Sequence, residues 1–261
     1  MTGIESANLK LVRAQEHINA IQNISWDYNE REPNVIINHP DGSKELKFIE
    51  SPPDAISIFA GECIYQIRSA LDHLAFQLVK LNRSGVTLPL DWEEKCAFPL
   101  RVKPPKKPPA FNCFESTLPG ITLEAFTFIE SVQPYNRGEV NAFLGRLAVL
   151  SNIDKHRHLH VTKPQATRRD EATVRYKGMV MNTSSAMRVE DGTITKHDYD
   201  FPDTEVLSVQ VSGAFHPFVS FDEPTLDPGV LAFSVADLLQ TCLDRIQQFI
   251  VPRLTEFLKN P

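Results

Sequence analysis

Residues 53–83, PDAISIFAGECIYQIRSALDHLAFQLVKLNR, carry the pattern that decides the architecture. Ile56, Ala60, Cys63, Ile67, Leu71, Leu74, Leu78 and Leu81 recur at intervals of three and four, the spacing that aligns side chains along one face of an α-helix. Ser51-Pro52-Pro53-Asp54 supplies a proline and capping side chains at the start, and Ser84-Gly85 a breaker at the end, so the pattern predicts a helix over 53–83. Two other segments carry matching stripes. Ile4, Ala7, Leu11, Ala14, Ile18 and Ile21 give a one-sided helix over 4–28. Leu231, Val235, Leu238, Cys242, Ile246, Phe249 and Leu254 give another over 229–258, kinked or restarted at Pro252. No one of these stripes can bury itself, so the three helices are expected to pack as a bundle.

The remaining segments are shorter. VIINH and KELKFIE flank a Pro-Asp-Gly turn and read as a β-hairpin with strands at 34–39 and 44–50. Proline-rich 86–119 reads as extended or irregular, and helices follow at 122–132 and 138–152. Alternating runs across 158–221 predict an antiparallel sheet of four to six strands. The fold class is therefore α+β. A single domain over 1–261 is expected, with a helical bundle (1–157 and 228–261) and a β-rich insertion (158–227).

Composition narrows the function classes. The chain has 261 residues, 42% apolar and 23% charged, with 27 Lys+Arg against 33 Asp+Glu and a net charge of −6, which excludes an all-over basic protein but not a local basic patch. No apolar run is long enough for a membrane span, and the charged start MTGIESANLKLVRAQEH lacks the core of a secretory signal, so a cytoplasmic protein without a membrane partner is expected. Four cysteines without C-x-x-C spacing read as reduced core thiols. G-x-S-x-G, Walker A, G-x-G-x-x-G and H-E-x-x-H are all missing, and 11 unclustered glycines offer no nucleotide-cradling loop, so no cofactor is expected.

One constellation carries chemical content. On a helical wheel, Glu62, Tyr65, Ser69, Asp72 and His73 fall opposite the apolar stripe of 53–83, with Arg68 at one flank. Ile58, Phe76 and Val79 project among them, and a freely solvated face does not normally mix these types, so this second face is expected to be partly covered. Ionisable groups under cover need partners, because isolated buried charges are costly.

Arg68-Ser69-Ala70-Leu71-Asp72-His73 has the form R-x4-H on a helix and resembles the signature of the HEPN superfamily, helical bundles that include many metal-independent ribonucleases. GECIYQIRSALDHLAFQL followed by LSNIDKHRHL also looks like a widespread group of uncharacterised bacterial proteins with RSALDHL and DKHR segments. The HEPN resemblance implies a cleft shared by two protomers, in a toxin or defence setting, with Arg68 clamping the scissile phosphate. His73 would act as general base on the ribose 2′-hydroxyl or as acid to the leaving group, without a metal. RNA and a homodimer formed through the 53–83 helix are the partners so implied. Ser69 departs from the larger polar residue common after the arginine in those ribonucleases, and the long β-insertion departs from a minimal HEPN bundle.

Other readings compete. Arg68 and Asp72 stand i,i+4 and form an intrahelical ion pair in the plain reading. Asp154 and His156 read either as an ion-paired helix terminus with Arg157 or as a second layer docked beneath the polar face, with Asp154 reaching Arg68 or His73. His156, His158 and His160 alternate as metal ligands do, but lack the acidic companion of common zinc motifs. Lys155, Arg157, Lys163, Arg168 and Arg169, with no acidic residue among them, form a candidate phosphate-tracking stretch, and Arg101, Lys103, Lys106 and Lys107 a second. Three functions follow: a metal-independent endoribonuclease using Arg68 and His73, a non-catalytic ligand-binding or scaffold protein knitted by the same residues, and, behind these, a metal-dependent hydrolase.

Overall fold

A computed structural model describes residues 3–40, 43–105, 114, 116–136, 138–156, 162–176, 179–189, 194–195, 206–222 and 233–259. Helix α1 (Gly3–Glu30) leads into strands β1 (Asn34–Asn38) and β2 (Lys44–Phe48), and these return the chain for helix α2 (Asp54–Leu81). A single helical turn, α3 (Trp92–Lys95), interrupts the proline-rich segment expected to be irregular; α4 (Leu123–Ser131) and α5 (Glu139–His156) follow. The β-rich part comprises β3 (Thr162–Tyr176), β4 (Met179–Val189), β5 (Ile194–Thr195) and β6 (Val206–Phe221). The chain ends on α6 (Val235–Arg245), a π-helical turn (Ile246–Ile250) and α7 (Val251–Lys259). The fold is α+β, as the sequence pattern requires.

Helix α2 is the axle of the core, in contact with α1, α5, α6 and α7. Seven of its eight stripe positions, from Ile56 to Leu78, are buried. Leu81 is 46% exposed, because Asn82 adopts the left-handed conformation (φ 43°, ψ 49°) and stops the helix three residues before the glycine breaker. Pro53 stands at the N-cap without the side-chain capping bond expected of this cluster. Helices α1 and α2 run antiparallel: Ser6 meets His73 and His17 meets Glu62.

Pro252 leaves its mark on the last helix. A proline donates no N–H to the carbonyl four residues back, and the helix widens just before it, Val251 N–H reaching Ile246 O. The buried stripe then runs Ile246, Ile250 and Leu254, and the expected Phe249 turns outward at 46% exposure.

Among the described residues the insertion contains four of the four to six strands expected, three of them joined in one antiparallel sheet, β4-β3-β6. The runs of the sequence do not map one to one onto strands: ATVRYKGMVM is divided between β3 and β4, SAMRV completes β4, and VLSVQVS and FHPFVSF both lie along β6. Within the TITKHD run the described Ile194 and Thr195 form β5, which adds to β2 in a second sheet of order β1-β2-β5. Val219 and Phe221 of β6 reach the helical core.

Segment 96–101 crosses the helices with no strand beside it in the described structure, so side chains must satisfy its backbone. Asp72 Oδ1 accepts Phe98 N–H at 2.8 Å and Arg68 Nη2 donates to Phe98 O at 2.5 Å. Gln133, fully buried just after α4, donates to Pro99 O (3.0 Å) and Ile129 O (2.9 Å) and accepts Arg101 N–H (3.0 Å). Phe98 itself is wholly buried. Replacing Gln133 with alanine strands buried backbone groups and is expected to cost about 3 kcal/mol in urea denaturation. Thr127→Ala, which removes an exposed Thr127 Oγ1 to Leu123 O bond, costs under about 0.5 kcal/mol in the same measurement.

Candidate functional site

The second face of α2 is divided. Its N-terminal half is open: Ile58 is 45% and Tyr65 54% exposed, and the Glu62 side chain is half exposed. Lys10 Nζ sits 5.5 Å from the Tyr65 ring centre. Farther along, Arg68, Ser69, Asp72, His73 and Phe76 are half-buried, and Val79 is fully buried. The expected cover therefore exists over one half of the face, where α3 and segment 96–101 lie; Phe76 stacks on Trp92 at 4.9 Å between ring centres.

Arg68 is turned into the protein. Its side chain is 14% exposed and spans Phe98 O and Asp72 Oδ1, the latter 3.1 Å away. Burial pushes its pKa down from the usual arginine value and Asp72 pulls it back up. His73 points elsewhere: its Nδ1 lies 2.8 Å from Ser6 Oγ, in a groove of about 440 Å³ lined by Gly3, Ser6, Asp72, His73, Phe76, Gln77 and Cys96. Arg68 lines a different groove, of about 280 Å³, with Leu100, Val102, Ala148, Val149, Ser151 and Asn152. The two residues of the R-x4-H motif thus open on different grooves of one chain.

Cys96 sits in the His73 groove but is a poor nucleophile, because burial and the Asp72 carboxylate push its thiol up to about 12. Cys63 and Cys242 are buried free thiols; Cys113 lies outside the described residues.

A third groove, of about 420 Å³, follows the α1–α2 seam and is lined by Arg13, His17, Ile58, Gly61, Glu62, Tyr65 and Gln66. His17 Nδ1 lies 3.2 Å from Glu62 Oε2 beneath it. Burial lowers the His17 pKa below 6.5, more strongly than Glu62 raises it.

The second sequence cluster is only partly visible. The backbone of Asp154, Lys155 and His156 forms the end of α5; their side chains, and Arg157, His158 and His160, lie outside the described residues, as does the expected contact of Asp154 with Arg68 or His73. Lys163 Nζ pairs with Asp222 Oδ1 at 3.0 Å. Arg168 and Arg169 occupy β3, opposite Phe215 and Ala214 of β6. The Arg101 guanidinium lies over the Phe114 ring, Lys103 is exposed, and Lys106 and Lys107 lie outside the described residues. Among the described residues no cluster of three or more His, Cys, Asp or Glu is arranged to hold a metal. None of their helices is long and apolar enough to cross a membrane.

Ser6, His17, Gln77 and Gln133 were not singled out by sequence, and Cys96, read there as a core thiol, is half-buried on the His73 groove. The signal for two of them was present: Ser6, Lys10, Arg13 and His17 repeat at four, three and four beside the apolar stripe of α1, marking the seam with α2. Comparison with family models, with curated proteins and with solved structures finds no match.

Two expectations follow. Asp72→Ala should destabilise by about 2 kcal/mol and make the Phe98 amide exchange rapidly with solvent, whereas Asp72→Asn, which keeps an acceptor oxygen, should lose less than half as much. Because the folded His17 pKa is lowered, the unfolded chain takes up the proton first as pH falls. The His17 contribution is fully present above pH 6.5 and declines below it toward the lower folded pKa. His17→Gln should flatten the fall in urea stability as the pH drops below 6.5.

Proposed function

We infer that this is a non-catalytic ligand-binding protein in which Arg68 and Asp72 are structural and the His73 groove is the binding site. The observation that carries this reading is the engagement of Arg68: its guanidinium bonds a main-chain carbonyl and a neighbouring carboxylate, away from His73. The groove offers what a small-molecule site needs, concavity with an aromatic wall (Phe76) and convergent polar groups (Ser6, His73, Gln77). A ligand that fits has an apolar or planar body and a polar end able to exchange hydrogen bonds with an imidazole and a primary amide.

A second reading keeps the HEPN resemblance: a metal-independent endoribonuclease of the cytoplasm, of toxin or defence type, in which two copies associate through α2 and act on RNA. The open N-terminal half of α2, with Ile58 and Tyr65 about half exposed, favours it by leaving a face for a second copy. Arg68 and His73 would then act from opposite copies. Glu62, Tyr65, Ser69 and Asp72 would support them, and Lys155, Arg157, Lys163, Arg168 and Arg169 would track the RNA backbone.

One experiment separates the two. Labelled RNA incubated with the protein in EDTA should remain intact, while a small-molecule library should contain compounds that raise the melting temperature of the wild type and not of His73→Ala. Cyclic-phosphate RNA ends, formed by the wild type and lost in both His73→Ala and Arg68→Lys, would replace the first reading with the second.

A further inference from the structure

Strand β1, Asn34-Val35-Ile36-Ile37-Asn38, is the edge of its sheet. Val35, Ile36 and Ile37 are 40%, 43% and 38% exposed, an unusual state for three successive β-branched residues. Two hydrogen bonds fix which way the backbone points: Ile49 N–H to Pro33 O (2.8 Å) and His39 N–H to Ser43 O (2.9 Å). In an antiparallel ladder alternate residues bond the same neighbour, so the odd positions from 33 to 39 bond across to β2. The even ones, Asn34, Ile36 and Asn38, therefore turn N–H and C=O toward the open edge, where among the described residues no strand pairs with them.

We propose that this edge is the interface of a homodimer, in which β1 of a second copy pairs antiparallel about a twofold axis through Ile36. The sequence is self-complementary in that register. Asn34 faces Asn38 of the other copy, Val35 faces Ile37 and Ile36 faces itself. The outward groups lie at positions that this register matches with one another, giving about six backbone hydrogen bonds; a slip of one residue forfeits them. Charge agrees with the orientation. Val35 lies beside Lys47 of β2 and Ile37 beside Glu45, so each row across the joined sheet ends in a lysine on one copy and a glutamate on the other. Parallel pairing places like charges at corresponding ends. Natural edges that avoid association carry charges or proline; Asn34–Asn38 carries neither, and prolines stand only beyond its ends, at 33 and 40. A five-residue strand covers less than the area of a standard stable interface, so the dimer is concentration-dependent.

Sedimentation equilibrium of the full chain between about 10 µM and 1 mM tests this. The wild type should shift from monomer toward twice its mass, Ile36→Lys should weaken the association at least about tenfold, and Ile58→Lys, on the open face of α2, should leave it unchanged. Melting curves establish that the variants are folded. Under mild oxidation I36C should cross-link into a covalent dimer beyond the wild-type background, whereas I37C, which faces Val35 of the other copy, should not. A monomer across the whole range, association insensitive to Ile36→Lys, association lost in Ile58→Lys, or equal cross-linking of I36C and I37C would each overturn the proposal.

Discussion

The carbonyl and amide of Phe98 are the constraint around which this structure is organised. Segment 96–101 lays a fully buried phenylalanine across α2 with no described strand beside it, so its main-chain groups must be satisfied by side chains or left unpaired at a cost of about 1–3 kcal/mol each. Arg68 and Asp72, one helical turn apart, supply a donor and an acceptor to the same residue. Gln133 does the same for Pro99 and Arg101. Asn141 Nδ2 in turn bonds the carbonyls of Ser131 and Gln133, so α2, the end of α4 and α5 are joined through polar side chains as well as through apolar contact.

This arrangement governs the chemistry available on α2. The buried segment walls off Arg68 from His73, so that one helix face serves two grooves. It also buries Cys96 beside the Asp72 carboxylate, and burial first and that charge second keep the thiol protonated across the physiological range. His73 escapes the network, bonded to a serine hydroxyl on another helix and open to the groove beside it. A motif whose spacing suggests one shared task therefore divides into a pair that holds the chain and a histidine that faces a concavity.

The α2 stripe was legible because eight apolar positions at helical spacing admit one reading, and seven of them are buried. The ion pair of Arg68 and Asp72 was equally legible from i,i+4 spacing. Its third member was not: Phe98 O and N–H are main-chain atoms, and no side-chain pattern announces which backbone a buried charge will hold. Leu81 and Phe249 failed for local reasons. An asparagine took the left-handed conformation before the glycine breaker was reached, and a proline widened the turn before it, moving the buried stripe from Phe249 to Ile250. The strand bounds were less legible, because alternation does not distinguish two short strands from one long strand when no tight turn separates the runs, as along β6.

Two exposed rings and one half-buried ring on the helices are covered in the same way: Lys10 lies over Tyr65, Arg245 over Phe249 and Arg253 over Phe257. A long cationic side chain shields the ring with its stem and keeps its charge in water, gaining about 0.5–1 kcal/mol at an exposed site. The exposed Tyr65 ring of α2 is thus covered from within one chain, and the half-open face of α2 does not by itself demand a neighbour. Strand β1 has no such remedy. Its exposed residues are aliphatic and offer no ring face to a cation, and its outward main-chain groups ask for a ladder. The demand for a partner is therefore stronger at the five residues of the edge than along the helix where the sequence first drew attention.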